Sequence, residues 1–95
     1  MLTHLVCFEF HAGKDDLVDG FAEALRALPA RIPAIRELRA GRNTSSRGGG
    51  FHVGLSVTFD SPEDLETYRH HPAHVDFVTF WVEPHVKRAV AVDFT

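Results

Sequence analysis

The sequence predicts an α+β domain, a four-stranded antiparallel sheet with helices on one face. Four segments read as strands, three of them with the two-residue period of a strand and the second more weakly. The stretches after the first and third of these change to helical spacing. Their order is strand, helix, strand, strand, broken helix, strand, and two crossovers around a hairpin can be laid into one antiparallel sheet.

Residues Leu2 to Phe10 form the first strand. His4, Val6, Phe8 and Phe10 fall on one face, and Leu5, Cys7 and Glu9 on the other. Both faces are largely apolar, as expected of a strand covered on both sides. Ala12 and Gly13 break it. From Lys14, a stripe of Leu17, Phe21, Ala24, Leu25 and Leu28 marks a helix. Asp15 and Asp16 in its first turn and Arg26 near its end suit the helix dipole. Gly20 weakens this helix slightly, and Pro29 with Pro33 bounds it.

A weaker strand runs from about Ala34 to Arg42, and Asn43 to Gly50 is a loop by composition. Its glycine run lacks the Lys-Ser/Thr of a phosphate loop, so it reads as a hairpin connection. In the third strand Phe51, Val53, Leu55, Val57 and Phe59 share a face opposite His52, Gly54, Ser56 and Thr58. Ser61, Pro62 and Asp64 start a helix as cap, first-turn proline and reciprocal capping position. This helix carries Leu65 and Tyr68 until Pro72 ends it. A further helical segment, Ala73 to Glu83, packs Val75, Val78 and Trp81 with Phe77 and Phe80 nearby, and Pro84 stops it. Val86 to Phe94 alternates as the last strand. This element order gives the ferredoxin-like arrangement, in one domain over residues 1–95.

Composition narrows the class. At 44% hydrophobic and 24% charged, the chain reads as an ordinary globular domain. A domain this short has a thin core, yet it holds eight phenylalanines and one tryptophan, and the apolar surplus predicts a homodimer. The net charge of −3 argues against a nucleic-acid partner. No run reaches membrane-span length, and no basic leader precedes the first strand. A single cysteine fits a reducing, cytoplasmic location, with Cys7 filling core space.

The stretch Tyr68-Arg-His-His-Pro-Ala-His74 carries the candidate chemistry. It holds three of the seven histidines beside the only tyrosine. Imidazole titrates near neutral pH, so such a cluster beside a phenol is a candidate acid/base site. A plainer reading makes His74 a junction residue that bonds backbone near Pro72, Tyr68 a core aromatic, and His4 and His52 hydrogen-bonded sheet histidines. His70 and His74 have metal-ligand spacing on a helix, but Pro72 interrupts them and no partner completes a ligand set. We therefore expect no metal, and the absence of any binding fingerprint predicts no flavin or heme cofactor.

The sequence resembles the stress-responsive dimeric alpha-beta barrel family, the Dabb domain. His4 in the first strand, Ile32-Pro-Ala34, Gly41-x-Asn43, Gly50-Phe-His52, Phe59-x-Ser61, Tyr68-x-x-His-Pro-Ala-His74 and Val92-Asp-Phe94 carry the resemblance across nearly the whole chain. It implies a homodimer whose two sheets close into a barrel. Within that family it resembles the polyketide cyclases of the olivetolic acid cyclase type, which close a linear chain by aldol condensation without a cofactor. That resemblance implies His74, His4 and Tyr68 as catalytic residues, His52 and Leu25 as substrate-binding positions, and a small hydrophobic or polyketide-like ligand. Leu25 stands where that cyclase has a tyrosine, so the substrate is expected to differ. Residue types suit the chemistry, since imidazole can take a proton beside a carbonyl while a phenol or second imidazole steadies the enolate. A cofactor-free oxygenase and a non-catalytic stress-responsive dimer remain as alternatives.

Overall fold

A computed structural model describes residues Met1–Thr95. Strand β1 (Leu2–Phe10) leads through a 3₁₀ turn at Asp15–Leu17 into helix α1 (Val18–Arg26). A second 3₁₀ turn (Leu28–Ala30) precedes β2 (Glu37–Arg42) and β3 (Val53–Phe59). Helices α2 (Pro62–His70) and α3 (Pro72–Phe77) follow. A π turn at Val78–Val82 and the short α4 (Glu83–His85) then lead into β4 (Val86–Phe94). The sheet order is β2-β3-β1-β4, with every neighbouring pair antiparallel. This is the ferredoxin-like fold that the element order predicts.

The helices cover the face carrying His4, Val6, Phe8 and Phe10 of β1 and Val53, Leu55, Val57 and Phe59 of β3, all buried. Phe21 of α1 is the hub of the core. Its ring lies 4.9 Å from Phe8 and from Phe10, 5.1 Å from Phe77 and 6.1 Å from Trp81. Gly20 is more than a weak helix residue, because a Cβ there would lie 3.2 Å from the Trp81 ring, so glycine lets α1 approach the segment after α3. The opposite sheet face is bare. Cys7 is exposed there, as are the apolar side chains of Leu5, Val90, Val92 and Phe94. Cys7 therefore does not fill core space, since its parity in β1 places it opposite the helices.

Several expectations are revised. The second strand begins at Glu37, and Phe51 and His52 precede the third. Ser61 caps α2 as expected, its hydroxyl accepting from the Asp64 amide at 3.2 Å. The break after α2 is made by His71 as much as by Pro72. His71 is extended, and its Nδ1 accepts from the Ala73 amide at 3.0 Å, so it caps α3 while Pro72 takes the first helical position. In α3 the buried face is Ala73 and Phe77, whereas Val75 is exposed and so is Phe80 beyond it. Ala73 and Phe77, four residues apart, set the buried face of α3 and leave Val75 outside it; beyond α3 the extra residue of the π turn brings Trp81 onto Gly20 and turns Phe80 outward.

Candidate active site

The sheet places the first functional side chain. In the antiparallel register of β1 with β4, His4 lies directly opposite Asp93. The Asp93 carboxylate accepts a hydrogen bond from His4 Nδ1–H at 2.5 Å. The His4 side chain is 10% exposed and Asp93 36%, so the pair sits at the core's edge. A carboxylate can only accept here, which leaves His4 Nε2 as the ring nitrogen available to a ligand.

The α2–α3 junction places the other two. Tyr68 is buried in the last turn of α2, and His74 opens α3 just past the cap at His71. Their ring centroids are 4.4 Å apart, and Tyr68 is 6.3 Å from His4. His74 Nδ1–H donates to the Arg69 carbonyl at 3.1 Å, again leaving Nε2 free. Burial lowers the pKa of His74 from its ordinary 6.5. The backbone bond to Arg69 opposes this, and the nearby charges of His4 and Arg69 add to it. His74 is therefore the neutral imidazole that a general base requires. Burial likewise pushes the Tyr68 phenol up to about 12, against the pull of Arg69, so Tyr68 stays a proton-bearing donor.

These groups open onto one cavity of about 230 Å³. His4, Tyr68 and His74 line it with Arg69, and the rest of its wall is apolar, including Phe8, Leu25 and Phe77. The fold thus brings His4 of β1 and Leu25 of α1 together with Tyr68 and His74 of the α2–α3 junction. His52 does not join them. Its Nδ1 accepts from the Phe10 amide at 3.0 Å and its Nε2 faces Asp15 at 3.3 Å, at the end of the sheet where β1 shifts register against β4. That is a structural role, tying the start of β3 to β1 and to the turn before α1. His70 points away as well, exposed beside Glu66. No group of three or more His, Cys, Asp or Glu side chains is arranged to hold a metal ion. Asp93 and Arg69 were missed as site residues. Asp93 could have been found from the strand parity that places it on the face of His4.

A family model of the stress responsive A/B barrel domain matches residues 2–95. The chain belongs to the stress-responsive A/B barrel (Dabb) family. Solved structures agree on its fold. A dimeric protein of unknown function and ferredoxin-like fold from Bacteroides fragilis is 30% identical, with a TM-score of 0.84 over 98% of this chain and 93% of that one. A hydroxynitrile lyase from Passiflora edulis shares the fold at 18% identity, with a TM-score of 0.84 over 98% of this chain and 90% of that one. An antibiotic biosynthesis monooxygenase shares it at 12% identity, with a TM-score of 0.80 over 100% of this chain and 97% of that one. No curated protein matches the sequence significantly. This Dabb domain has no helix long and apolar enough to cross a membrane.

Proposed function

We propose that this Dabb protein is a cofactor-free acid/base enzyme of the cyclase or lyase type, acting on a small molecule in the cavity between sheet and helices. The observation that carries the reading is the convergence of two imidazoles and a phenol on one apolar cavity, each imidazole with Nδ1 held by an acceptor. In the reaction His74 Nε2 takes the proton from the carbon beside a substrate carbonyl, and the electron pair moves onto the carbonyl oxygen. The Tyr68 hydroxyl donates a hydrogen bond to the resulting enolate. Asp93 fixes the His4 ring across the cavity, where Nε2 orients the substrate or, once protonated, donates to the same oxygen. The enolate carbon then attacks a second carbonyl, or a bond beside it breaks, and the proton on His74 goes to the product. The apolar wall lowers the polarity around the Tyr68 phenol, the most deeply buried of these groups. Leu25 contributes only bulk, so recognition at that wall is by shape.

The protein acts as a homodimer in this proposal. Leu5, Val90, Val92 and Phe94 expose an apolar patch on one sheet face, and a second copy is the simplest cover for it. The Bacteroides fragilis relative is described as dimeric.

Metabolite soaking followed by turnover assays tests the enzymatic reading. His74→Ala is expected to abolish turnover of any substrate so found while costing only about 1 kcal/mol of stability, the net value of its one hydrogen bond. If the substitution mainly unfolds the protein, His74 is a junction residue and the chain is a non-catalytic binding dimer.

A further inference from the structure

The cavity has one permanent charge on its wall, Arg69. Its side chain is 49% exposed, which places it at the mouth rather than the floor. The neighbouring carboxylate does not engage it firmly: Glu66 lies 3.8 Å from Nε, beyond hydrogen-bond reach, and is itself exposed and 3.5 Å from His70. The guanidinium fork, which matches a carboxylate two bonds at a time, therefore stays open to a ligand. Its charge nevertheless reaches the reacting groups, lowering the pKa of both Tyr68 and His74. The same residue's carbonyl holds His74 Nδ1–H, so the cation and the base belong to one structural unit.

We infer that the substrate is a short-chain anion whose carboxylate is received by Arg69 at the mouth while its carbon chain enters the cavity; the inference rests on the acid/base reading of that cavity. At about 30 Å³ per water-sized group, 230 Å³ holds roughly eight such groups beyond the mouth. An anion seated on Arg69 also masks a positive charge that opposes protonation of His74. The substrate's own charge thereby eases the transfer of its proton to the base.

The test uses hexanoate and hexanamide, which differ in charge but little in shape. Binding to the wild-type protein and to Arg69→Gln and Arg69→Lys is followed at pH 8 through the NMR shifts of the Tyr68 and His74 rings, with His74 neutral throughout. Hexanoate should bind the wild type about threefold to tenfold more tightly than hexanamide, because Arg69 is half exposed and solvent screens part of its attraction for the carboxylate. Arg69→Gln should erase that preference without weakening hexanamide, and Arg69→Lys should keep part of it. Equal binding of the two probes to the wild type, or an undiminished preference in Arg69→Gln, would overturn the anion inference and leave the cavity reading standing. If neither probe shifts the Tyr68 and His74 rings, the cavity reading fails and the inference with it.

Discussion

Tyr68 is the only tyrosine in the chain, so its ionisation can be read directly by absorbance and assigned without ambiguity. Burial raises its pKa from 10.0 to about 12, with Arg69 opposing the rise. The unfolded chain loses this proton near 10, whereas the folded protein keeps it to about 12. The contribution of Tyr68 to stability is therefore fully present below pH 10 and is lost as pH rises towards 12. At about 1.36 kcal/mol per tenfold difference in acidity, the loss approaches roughly 3 kcal/mol once the folded phenol has also ionised and is about 2 kcal/mol at pH 12. Because Tyr68 is only 2% exposed, solvent screening does not erode that figure much. The perturbation is Tyr68→Phe, which should change stability near pH 7 by less than about 1 kcal/mol. The assay is denaturant unfolding of both proteins from pH 8 to 12, with the phenolate absorbance of the folded wild type recorded in parallel. The wild type should lose about 2 kcal/mol more than Tyr68→Phe over that range, since the folded phenol is itself half ionised by pH 12. Its phenolate should appear only near pH 12, or abruptly with unfolding. A phenolate forming near pH 10 in folded protein, with parallel stability curves for the two proteins, would refute the argument that the phenol is a buried, permanently protonated donor.

Since burial lowers the pKa of His74, kcat/KM should be level at neutral pH and fall only as pH drops through a value below 6.5, which a pH–rate profile on a substrate of the protein would reveal. Stability should also decline as pH falls below 6.5, where the unfolded chain binds a proton that His74 in the fold resists, and that part of the slope should vanish in His74→Ala. Val92→Asp should convert a dimer of about twice 10.6 kDa into a monomer in sedimentation at micromolar concentration, and a wild type that already sediments at 10.6 kDa would refute the dimer. His71→Ala should lower stability by about 1 kcal/mol through loss of the α3 cap, measurable by thermal unfolding.

Much of this molecule was legible from residue periodicity. The first and last strands run over Leu2–Phe10 and Val86–Phe94 as read from the sequence, because both are long, rich in β-branched and aromatic residues and patterned with period two. The start of α2 at Ser61-Pro62 was readable because capping is a local hydrogen bond between residues three apart. Local pattern failed where the backbone departs from a regular period. In α3 the i, i+4 pair Ala73 and Phe77 faces the core and leaves Val75 outside, and the π turn at Val78–Val82 then shifts the stripe so that Phe80 faces outward. The cap at His71 was hidden because histidine is not among the usual capping residues, and only its ring orientation reveals the bond to Ala73.

By itself the sequence determined the fold class, the contiguous Tyr68–His74 unit and the surplus of apolar side chains on one sheet face. All of these follow from neighbours along the chain or from strand parity. Only the tertiary structure decided which distant residues meet. His4 and Asp93 are 89 positions apart, and their hydrogen bond depends on the register of β1 against β4, which no local preference encodes. The same register shifts at Glu9 and Phe10, and His52 is drawn to the free Phe10 amide and away from the cavity that receives His4 and His74. Arg69 was an ordinary surface cation in the sequence. It became the charge at the cavity mouth because Pro72 and His71 turn α3 back across the end of α2 and set His74 against the Arg69 carbonyl.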